Sequence, residues 1–295
     1  ATNDFGSTIS SNGVLELGQI AAWGSVSRVP LGSTNAIAVA GGSDQSLWLK
    51  ADGTVNGWSG SGINAYGELT IPAGLSNVLA IDAGYSSSLA LKSDNAVAAW
   101  GRQEQGAVPF GLTNVVAIAL GWDHSLALKS DGNVVAWGWN GDNQTSVPAG
   151  LSTVVAIAAG PHHNLALKSD GTVAAWGLSA HGQTTIPAGL SNVVAIAAGY
   201  SYSLALKSDD TIVAWGSATT ATNIPSGLSN IVTIASGDDH CLALKADGTV
   251  AAWGRNDSGQ TNVPTGLTNV TAISAGMGHC LALVGEGPPV QQAAW

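Results

Sequence analysis

The chain has 295 residues, of which 45% are hydrophobic and only 9% are charged, and this composition argues against a disordered chain. The formal net charge is −10, and the nine Lys and Arg residues form no basic cluster, which argues against nucleic acid or an anionic membrane as a partner. The longest apolar runs, such as "VVAIAAG", are too short to cross a bilayer.

The first residues read "ATNDFGS", which we interpret as the mature end left after removal of a signal peptide. The Ser/Thr/Asn/Gly-rich, Lys-poor composition is typical of a secreted bacterial protein, so we expect a secreted or extracellular location. Residues 18–30 then contain two strand signals, one bearing Trp23 and one ending in Val-Pro.

A repeat of about forty residues extends over the rest of the chain. Its most regular mark is a Trp in "AAWG" or a close variant, at Trp23, Trp58, Trp100, Trp137, Trp176, Trp215 and Trp253. An eighth Trp, Trp295, is the last residue.

Each repeat contains four short strand signals. In one clear repeat they are residues 154–160, 164–170, 172–177 and 183–187. The "SDGT" between the second and third signals predicts a tight hairpin, and "PAGLSN" predicts a turn into the next repeat. Seven such units predict an all-β, seven-bladed β-propeller with four-stranded antiparallel blades. We expect one domain over residues 1–295.

The strand count also predicts how the ring closes. The repeats run from about residue 15 to residue 284, and residues 18–30 supply a third and a fourth strand with no first or second strand before them. We therefore expect the N-terminal strands to complete the last blade and residues 285–295 to leave the ring as a tail. The alternative places Trp295 in the seventh blade and leaves residues 1–24 outside.

The two cysteines, Cys241 and Cys280, occupy the same place in successive repeats. Equivalent positions in neighbouring repeats usually lie side by side without the approach that a disulfide requires. We interpret both as small buried apolar residues, and a disulfide between them is the alternative.

Two segments carry a family resemblance most clearly: "LGWDHSLALKSDGNVVAWGWNGDNQ" at 120–144 and "SGDDHCLALKADGTVAAWGRNDSGQ" at 236–260. They resemble the repeat of the regulator of chromosome condensation family. The resemblance implies a seven-bladed propeller that acts through protein contacts, as in nucleotide-exchange factors and chromatin binders. A narrower likeness is to secreted bacterial propellers that inhibit β-lactamases. This chain differs from those inhibitors in having "AGLSNV" between blades and in its varied loops, so the inhibitors' target is not assigned to it.

Residues that recur in every repeat are assigned to the scaffold. The lysines occupy one repeat position beside the hairpin and pair with aspartates in the turn, at Lys50, Lys92, Lys129, Lys168, Lys207 and Lys245. Four histidines precede the "LAL" strand, and we interpret them as structural residues bonded to backbone: His124, His163, His240 and His279. Asp238, Asp239 and His240 lack a recognised ligand spacing, so we expect no metal and no cofactor.

The remaining aromatic residues are concentrated on one predicted face. In a four-stranded blade, the first-to-second and third-to-fourth loops emerge together, and these loops contain Tyr66, Tyr85, Trp122, Trp139, Tyr200 and Tyr202. The same loops carry charged residues: Asp44, Glu104, Asp123, Asp142, Asp238, Asp239 and Asp257, with Arg102 and Arg255. Trp48 is assigned to the core, and the opposite face offers only Phe110 as an aromatic.

Tyr, Trp and Arg are the usual hot-spot residues of protein interfaces. The sequence therefore predicts a non-catalytic propeller that binds a protein partner on this face, with inhibition of a secreted or periplasmic enzyme as one form of such binding. The predicted contact residues are Trp122, Trp139, Tyr66, Tyr85, Tyr200, Tyr202, Asp123, Asp142, Arg102, Arg255, Asp238 and Asp239. Glycan binding is the main alternative, and an unrecognised hydrolase or lyase is a weaker one, because no catalytic motif is present.

Overall fold

The computed structural model describes residues 18–102, 107–217 and 219–285. These residues are almost entirely strands and turns, with one short 3-10 helix at Thr220–Thr222. The all-β prediction is confirmed. The strands are Gln19–Gly24 (β1), Ala36–Gly41 (β2), Gln45–Lys50 (β3), Val55–Ser59 (β4), Val78–Ala83 (β5), Ser87–Lys92 (β6), Val97–Gly101 (β7), Val115–Leu120 (β8), His124–Lys129 (β9), Val134–Gly138 (β10), Val154–Ala159 (β11), His163–Lys168 (β12), Val173–Gly177 (β13), Val193–Ala198 (β14), Tyr202–Lys207 (β15), Ile212–Gly216 (β16), Ile231–Ser236 (β17), His240–Lys245 (β18), Val250–Gly254 (β19), Val270–Ala275 (β20) and His279–Val284 (β21).

The strands form seven three-stranded antiparallel sheets. Sheets 1 to 6 take their strands in chain order, from β2–β3–β4 to β17–β18–β19, and sheet 7 is β20–β21–β1. Within each sheet we call the strands inner, middle and outer in that order. Inner strands contact the inner strands of both neighbouring sheets, and β20 contacts β2, so the seven sheets form a ring.

The burial of each strand follows from its place in the ring. Middle strands are buried on both faces, because their two sides pack against different sheets, and they carry the continuous "LAL" pattern. Each core cluster lies between adjacent sheets. Leu126 and Leu128 of β9, for example, pack with Ile157 of β11 and Trp176 of β13.

Sheet 7 combines the first described strand with the last two. Strand β1 pairs antiparallel with β21, with Trp23 opposite Cys280, and so occupies the outer position that a Trp-bearing strand fills in the other sheets. The predicted tail and the alternative placement of Trp295 fall on residues 286–295, and the predicted start of the chain falls on residues 1–17. Both segments lie outside the described residues.

The predicted fourth strand is absent from these sheets, because its segment folds into local turns instead of a ladder. In residues 183–187, Thr185 N–H donates to the carbonyl of Gly182, and Pro187 has no N–H to offer. Gln183 is buried, and its side chain accepts a bond from the N–H of His181, two residues earlier. Gln144 and Gln260 repeat this contact with Asp142 and Ser258.

In sheets 2, 4, 5, 6 and 7 the recurring Trp is hydrogen-bonded to the segment that follows the preceding sheet. Trp176 Nε1 donates to the carbonyl of Gln144 at 2.9 Å, and the same bond joins Trp215 to Gln183 and Trp23 to Gln260. The same carbonyl accepts a second bond from the middle strand, as from Asn164 Nδ2 to Gln144 at 2.8 Å. One backbone oxygen in the fourth segment therefore holds two strands of the next sheet.

Four of the six Lys–Asp hairpins form the local ion pairs that the sequence predicts. The Nζ–Oδ2 distances are 2.9 Å for Lys92–Asp94, 3.0 Å for Lys129–Asp131, 3.7 Å for Lys168–Asp170 and 2.8 Å for Lys207–Asp209. Such exposed pairs contribute little to stability, because solvent screens their charges. Cys241 and Cys280 are buried and free, as predicted.

A glycine lies at the C-terminal end of every inner strand, because the neighbouring sheet leaves no room there for a Cβ. A Cβ on Gly121 would press on the His124 ring and lie 2.6 Å from the carbonyl oxygen of Gly160, its equivalent in the next sheet. Gly84 and Gly237 meet the corresponding carbonyl of the next glycine in the same way.

Replacing Gly121 by Ala is therefore expected to destabilise the ring by about 1–3 kcal/mol, as overpacking usually does. Urea unfolding followed by circular dichroism measures this change. Gly150→Ala is a suitable comparison for general Gly→Ala effects, since no atom lies within 4 Å of its would-be Cβ, although its φ of 79° adds backbone strain. An unchanged midpoint for Gly121→Ala would contradict the close packing of the loops.

Candidate functional site

One face of the ring is built from two sets of loops that are hydrogen-bonded to each other. The loop between inner and middle strands accepts a backbone bond from the residue that follows the outer strand. Trp139 N–H donates to Asp123, and Arg255 N–H to Asp239, each at 2.8 Å. The two sets of loops predicted to share a face therefore do so. We call it the loop face.

The loop between the inner and middle strands of each sheet has one variable residue directly after the glycine described above. These residues are Ser43, Tyr85, Trp122, Pro161, Tyr200, Asp238 and Met277. A central cavity of about 240 Å³ runs between the inner strands, and Trp122, Pro161, Asp238 and Met277 contribute to its lining. With Ser43, five of the seven residues at this repeat position therefore border the cavity.

Five rings on the loop face form a contiguous group, which we call the aromatic cluster: Tyr85, Trp122, Trp139, His162 and Tyr200. Trp122 is its centre, with ring centroids 5.1 Å from Tyr85, 5.2 Å from Tyr200 and 5.4 Å from His162. His162 also lies 6.1 Å from Trp139 and from Tyr200. The cluster spans sheets 2 to 5.

The aromatic cluster is open to solvent despite these mutual contacts. Tyr85 is 37% exposed, Tyr200 38% and Trp139 45%, whereas Trp122 is half-buried beneath them. Large rings that hold one another in place lose little entropy when a partner covers them. The cluster is therefore pre-organised for contact.

Charged side chains extend this surface on two sides. Arg102 lies 5.4 Å from the centroid of the Tyr66 ring and 3.3 Å from Asp123 Oδ1. Asp142 Oδ2 lies 3.3 Å from His162 Nδ1, at the edge of the cluster. Predicted residues from sheets 1 to 3 are therefore brought together.

A second charged group lies on sheet 6. Arg255 Nε is 2.6 Å from Asp257 Oδ2, and its Nη1 is 3.8 Å from Asp239 Oδ2. Asp238 connects this group to the cluster, because its carbonyl accepts the backbone N–H of Tyr200 at 3.0 Å. Burial raises the pKa of Asp238 to about 7, with a further contribution from Asp239 and an opposing one from Arg255.

Tyr202 was wrongly assigned to this surface. Its side chain is fully buried, with the hydroxyl 2.8 Å from the carbonyl of His240 and 3.1 Å from that of Gly237. It is the first residue of middle strand β15, where four other middle strands begin with His. Tyr202 is therefore a scaffold residue that replaces the recurring histidine.

The four recurring histidines are buried scaffold residues, but their bonding partners differ from the prediction. Instead of backbone, each Nε2 meets a side chain of the next sheet: His124 with Asn164 Oδ1 at 2.6 Å, His163 with Ser203 Oγ at 2.9 Å, His240 with Cys280 Sγ at 3.2 Å and His279 with Ser46 Oγ at 3.0 Å. Since Ser203 Oγ donates to Gln183, it accepts from His163. These bonds link neighbouring sheets.

Two residues at this site, His162 and Asp82, were not among the predicted contacts. His162 stands beside the recurring His163, and its only sequence signal is that other repeats carry Ser, Asp or Gly there. Asp82 lies on inner strand β5 and lines the cavity, where it accepts the N–H groups of Ala83 and Leu120 at 2.9 and 2.8 Å. Burial raises its pKa to about 7.

Trp48 is buried and contacts Trp58 edge-on at 5.4 Å, as expected of a core residue. Glu104 lies outside the described residues. Within residues 18–102, 107–217 and 219–285, no three His, Cys, Asp or Glu side chains are arranged to hold a metal ion. None of the helical structure in that part of the chain is long and apolar enough to span a bilayer.

Comparison with protein-family models finds repeats of a known type. Four segments match the model of the regulator of chromosome condensation (RCC1) repeat: residues 115–144, 154–183, 193–219 and 231–260. Each segment begins at an inner strand, in sheets 3 to 6. The chain therefore contains RCC1 repeats. No curated protein matches it in sequence.

Solved structures with similar folds have low sequence identity to this chain, and they include yeast RCC1 (Prp20). Prp20p from Saccharomyces cerevisiae matches with a TM-score of 0.76 at 20% identity, over 93% of each chain. The same yeast protein bound to Kap60 matches with a TM-score of 0.75 at 21% identity, over 92% of this chain and 90% of that one. Human WBSCR16 matches with a TM-score of 0.73 at 18% identity, over 90% and 98%. These likenesses support the β-propeller fold.

Proposed function

We propose that this RCC1-repeat propeller is a non-catalytic binding protein that holds a protein partner on its loop face. The observation that carries the proposal is the aromatic cluster. Five rings from four sheets lie in mutual contact, and three of them are more than one-third exposed. Protein interfaces concentrate their binding energy in such Trp and Tyr residues.

The charged residues around the cluster indicate that the partner is a protein with polar groups and not a purely apolar surface. Arg102 and Asp123 flank Tyr66 on one side, and Arg255 with Asp239 and Asp257 flank Asp238 on the other. A polar, partly charged rim around an aromatic centre is the usual anatomy of a protein interface. The partner would lie across sheets 1 to 6.

The structural relatives support a protein partner in general terms. Prp20p is described as binding Gsp1p and histones, and it has been crystallised with Kap60. At about 20% identity these partners do not transfer to this chain. We further propose that the protein is secreted by a bacterium and that its partner is a secreted or periplasmic enzyme, which it inhibits by covering the active site.

The double variant Trp122→Ala/Trp139→Ala tests the proposal. Immobilised protein is exposed to bacterial periplasmic and secreted fractions, and proteins retained by the unmodified chain are identified and purified. Loss of two hot-spot rings is expected to weaken the purified partner's Kd at least about 30-fold, since a hot-spot residue contributes about 2 kcal/mol or more. Isothermal titration calorimetry measures the affinity.

Phe110→Ala is the matched control, because Phe110 is a fully exposed aromatic away from the loop face, in the turn between sheets 2 and 3. It should leave the Kd unchanged. Equal affinity of the double variant and the unmodified chain, with both folded by circular dichroism, would reject the loop face as the interface. Binding on a carbohydrate array without any retained protein would instead assign the cluster to glycans.

A further inference from the structure

The central cavity opens in the middle of the loop face, and its size suits a single side chain. Its volume of about 240 Å³ lies below the range of about 300–1,000 Å³ typical of drug-sized ligands. The lining comes from all seven inner strands and from the variable loop residues, including Trp122 and Asp238. A partner bound across the loops would face this opening directly.

The lining combines apolar walls with two carboxylates. Ala, Ile and Gly residues of the inner strands and of the loops that follow them form most of it, Asp82 lies on the wall and Asp238 at the mouth. No Lys, Arg or His belongs to the lining among the described residues. When these two carboxylates are ionised they make the cavity negative, and no cationic side chain of its described lining offsets them.

Aromatic rings stand at the same opening. Trp122 belongs to the lining, and Tyr85 and Tyr200 lie 5.1 and 5.2 Å from it on either side. The faces of Trp and Tyr rings attract ammonium and guanidinium groups, most strongly where water is excluded. Aromatic rings at the mouth, with one carboxylate at the mouth and one on the wall, suit an organic cation.

Both carboxylates are held in surroundings that disfavour their charge. Burial raises the pKa of Asp82 and of Asp238 to about 7. The ionisable groups that act on Asp238 are Asp239, which raises its pKa further, and Arg255, which lowers it. Among the described residues, Asp82 accepts hydrogen bonds from the backbone N–H groups of Ala83 and Leu120. A cation entering the cavity would stabilise the ionised form of both carboxylates.

We propose that the mouth of the central cavity binds one basic side chain, Arg or Lys, projecting from the protein partner. The charged group would lie against the faces of Trp122, Tyr85 and Tyr200 and point towards Asp238 and Asp82. This inference rests on the proposed function, because it names the chemistry that the partner presents at the centre of the same face.

Small probes test the site without the partner. Nα-acetyl-arginine amide and Nα-acetyl-lysine amide are titrated into the ¹⁵N-labelled protein, and the indole N–H resonance of Trp122, assigned with Trp122→Phe, reports binding. The citrulline analogue, a neutral copy of arginine, is the matched ligand control. We expect the arginine probe to bind about tenfold more tightly than the citrulline probe.

The repeat supplies a conservative variant for the cavity wall. Ser274 occupies the position of Asp82 in sheet 7 and accepts the N–H of Gly41 in the next sheet at 3.0 Å, as Asp82 accepts that of Leu120. Asp82→Ser therefore removes the charge and keeps the bond. Asp82→Ser and Asp238→Asn should each weaken the arginine probe about three- to tenfold, whereas Asp209→Asn, an equal change of net charge on a hairpin, should not.

The pH dependence gives an independent readout. Both carboxylates become ionised as the pH rises through about 7, so the arginine probe should bind more tightly at pH 8.5 than at pH 6. Equal binding of citrulline and arginine, or equal weakening by Asp209→Asn, would overturn the proposal. If the probes fail but partner binding still depends on Trp122 and Trp139, the interface stands and the cation site does not.

Discussion

Acidification is expected to unfold the protein cooperatively between about pH 6 and pH 4. Four buried histidines resist protonation in the folded ring: burial lowers the pKa of His124, His240 and His279 to about 4 and that of His163 to about 3. In the unfolded chain these groups take up protons near pH 6.5. The unfolded state therefore binds more protons below pH 6.5, and folding stability falls as the pH falls.

Two carboxyls act in the opposite direction. Asp82 and Asp238 have a pKa of about 7 in the folded state, against an unperturbed value near 3.8, so the folded state binds their protons first and gains stability as the pH falls from 7 to 4. Four histidines outweigh two carboxyls. The net loss is on the order of 2–3 kcal/mol per pH unit across this window, enough to exhaust a typical folding free energy.

Urea titrations at pH 7.5, 6 and 5, followed by Trp fluorescence, measure this slope. His124→Gln is a suitable variant, because Gln45 stands at the same repeat position in sheet 1 and its Nε2 donates to Ser87 at 2.8 Å. It should flatten the dependence, whereas His181→Gln on the exposed loop should not. A free energy of unfolding that stays level or rises from pH 7.5 to pH 5 would contradict the prediction that four histidines remain neutral in the folded ring.

Two tyrosines only two residues apart should respond to alanine in opposite ways. Tyr202 is fully buried against sheet 6, so Tyr202→Ala leaves a cavity and removes a hydroxyl from two carbonyl groups. We expect a loss of about 3–5 kcal/mol in the free energy of unfolding. Tyr200→Ala removes a ring that is 38% exposed and should change stability by less than about 1 kcal/mol.

Thermal and urea unfolding of both variants, together with binding of the identified partner, separate the two roles. Tyr200→Ala should weaken binding with the fold intact, and Tyr202→Ala should lower stability first. Tyr202→His, which restores the residue of sheets 3, 4, 6 and 7, should recover part of the lost stability. A strongly destabilised Tyr200→Ala would place that ring in the scaffold.

Much of the fold could be predicted because the same burial and turn requirements recur in every sheet. The "LAL" strands must be buried on both sides, and the hairpin glycine must take a positive φ, as Gly171 does at 75°. The fourth strand was overpredicted for a local reason. Its "QTTIP" segment has β-branched residues. However, the buried Gln183 side chain bonds to a nearby backbone N–H and Pro187 has no N–H to donate, so the segment forms turns.

The site was predictable only in part, because alternation along a strand does not reveal where a loop ends. Tyr200 and Tyr202 fall on either side of the start of β15, and the sequence pattern "GYSYSLAL" does not mark that boundary. Comparison with "GWDHSLAL" does mark it, since His124 aligns with Tyr202 and Trp122 with Tyr200. Asp82 was overlooked because a lone carboxylate in a strand has no motif around it.

The pairing of β1 with β21 has a consequence for how the chain reaches its folded state during synthesis. Trp23 and its acceptor Gln260 are 237 residues apart, so the outer strand of sheet 7 leaves the ribosome early and finds its partner last. At about 5–20 residues per second, β1 waits roughly ten to fifty seconds with an unpaired edge. Sheets 1 to 6 can form in order meanwhile, because each is local in sequence. The vulnerable species is an open arc with two free ends, and protection of β1 during that interval would decide the yield of folded protein.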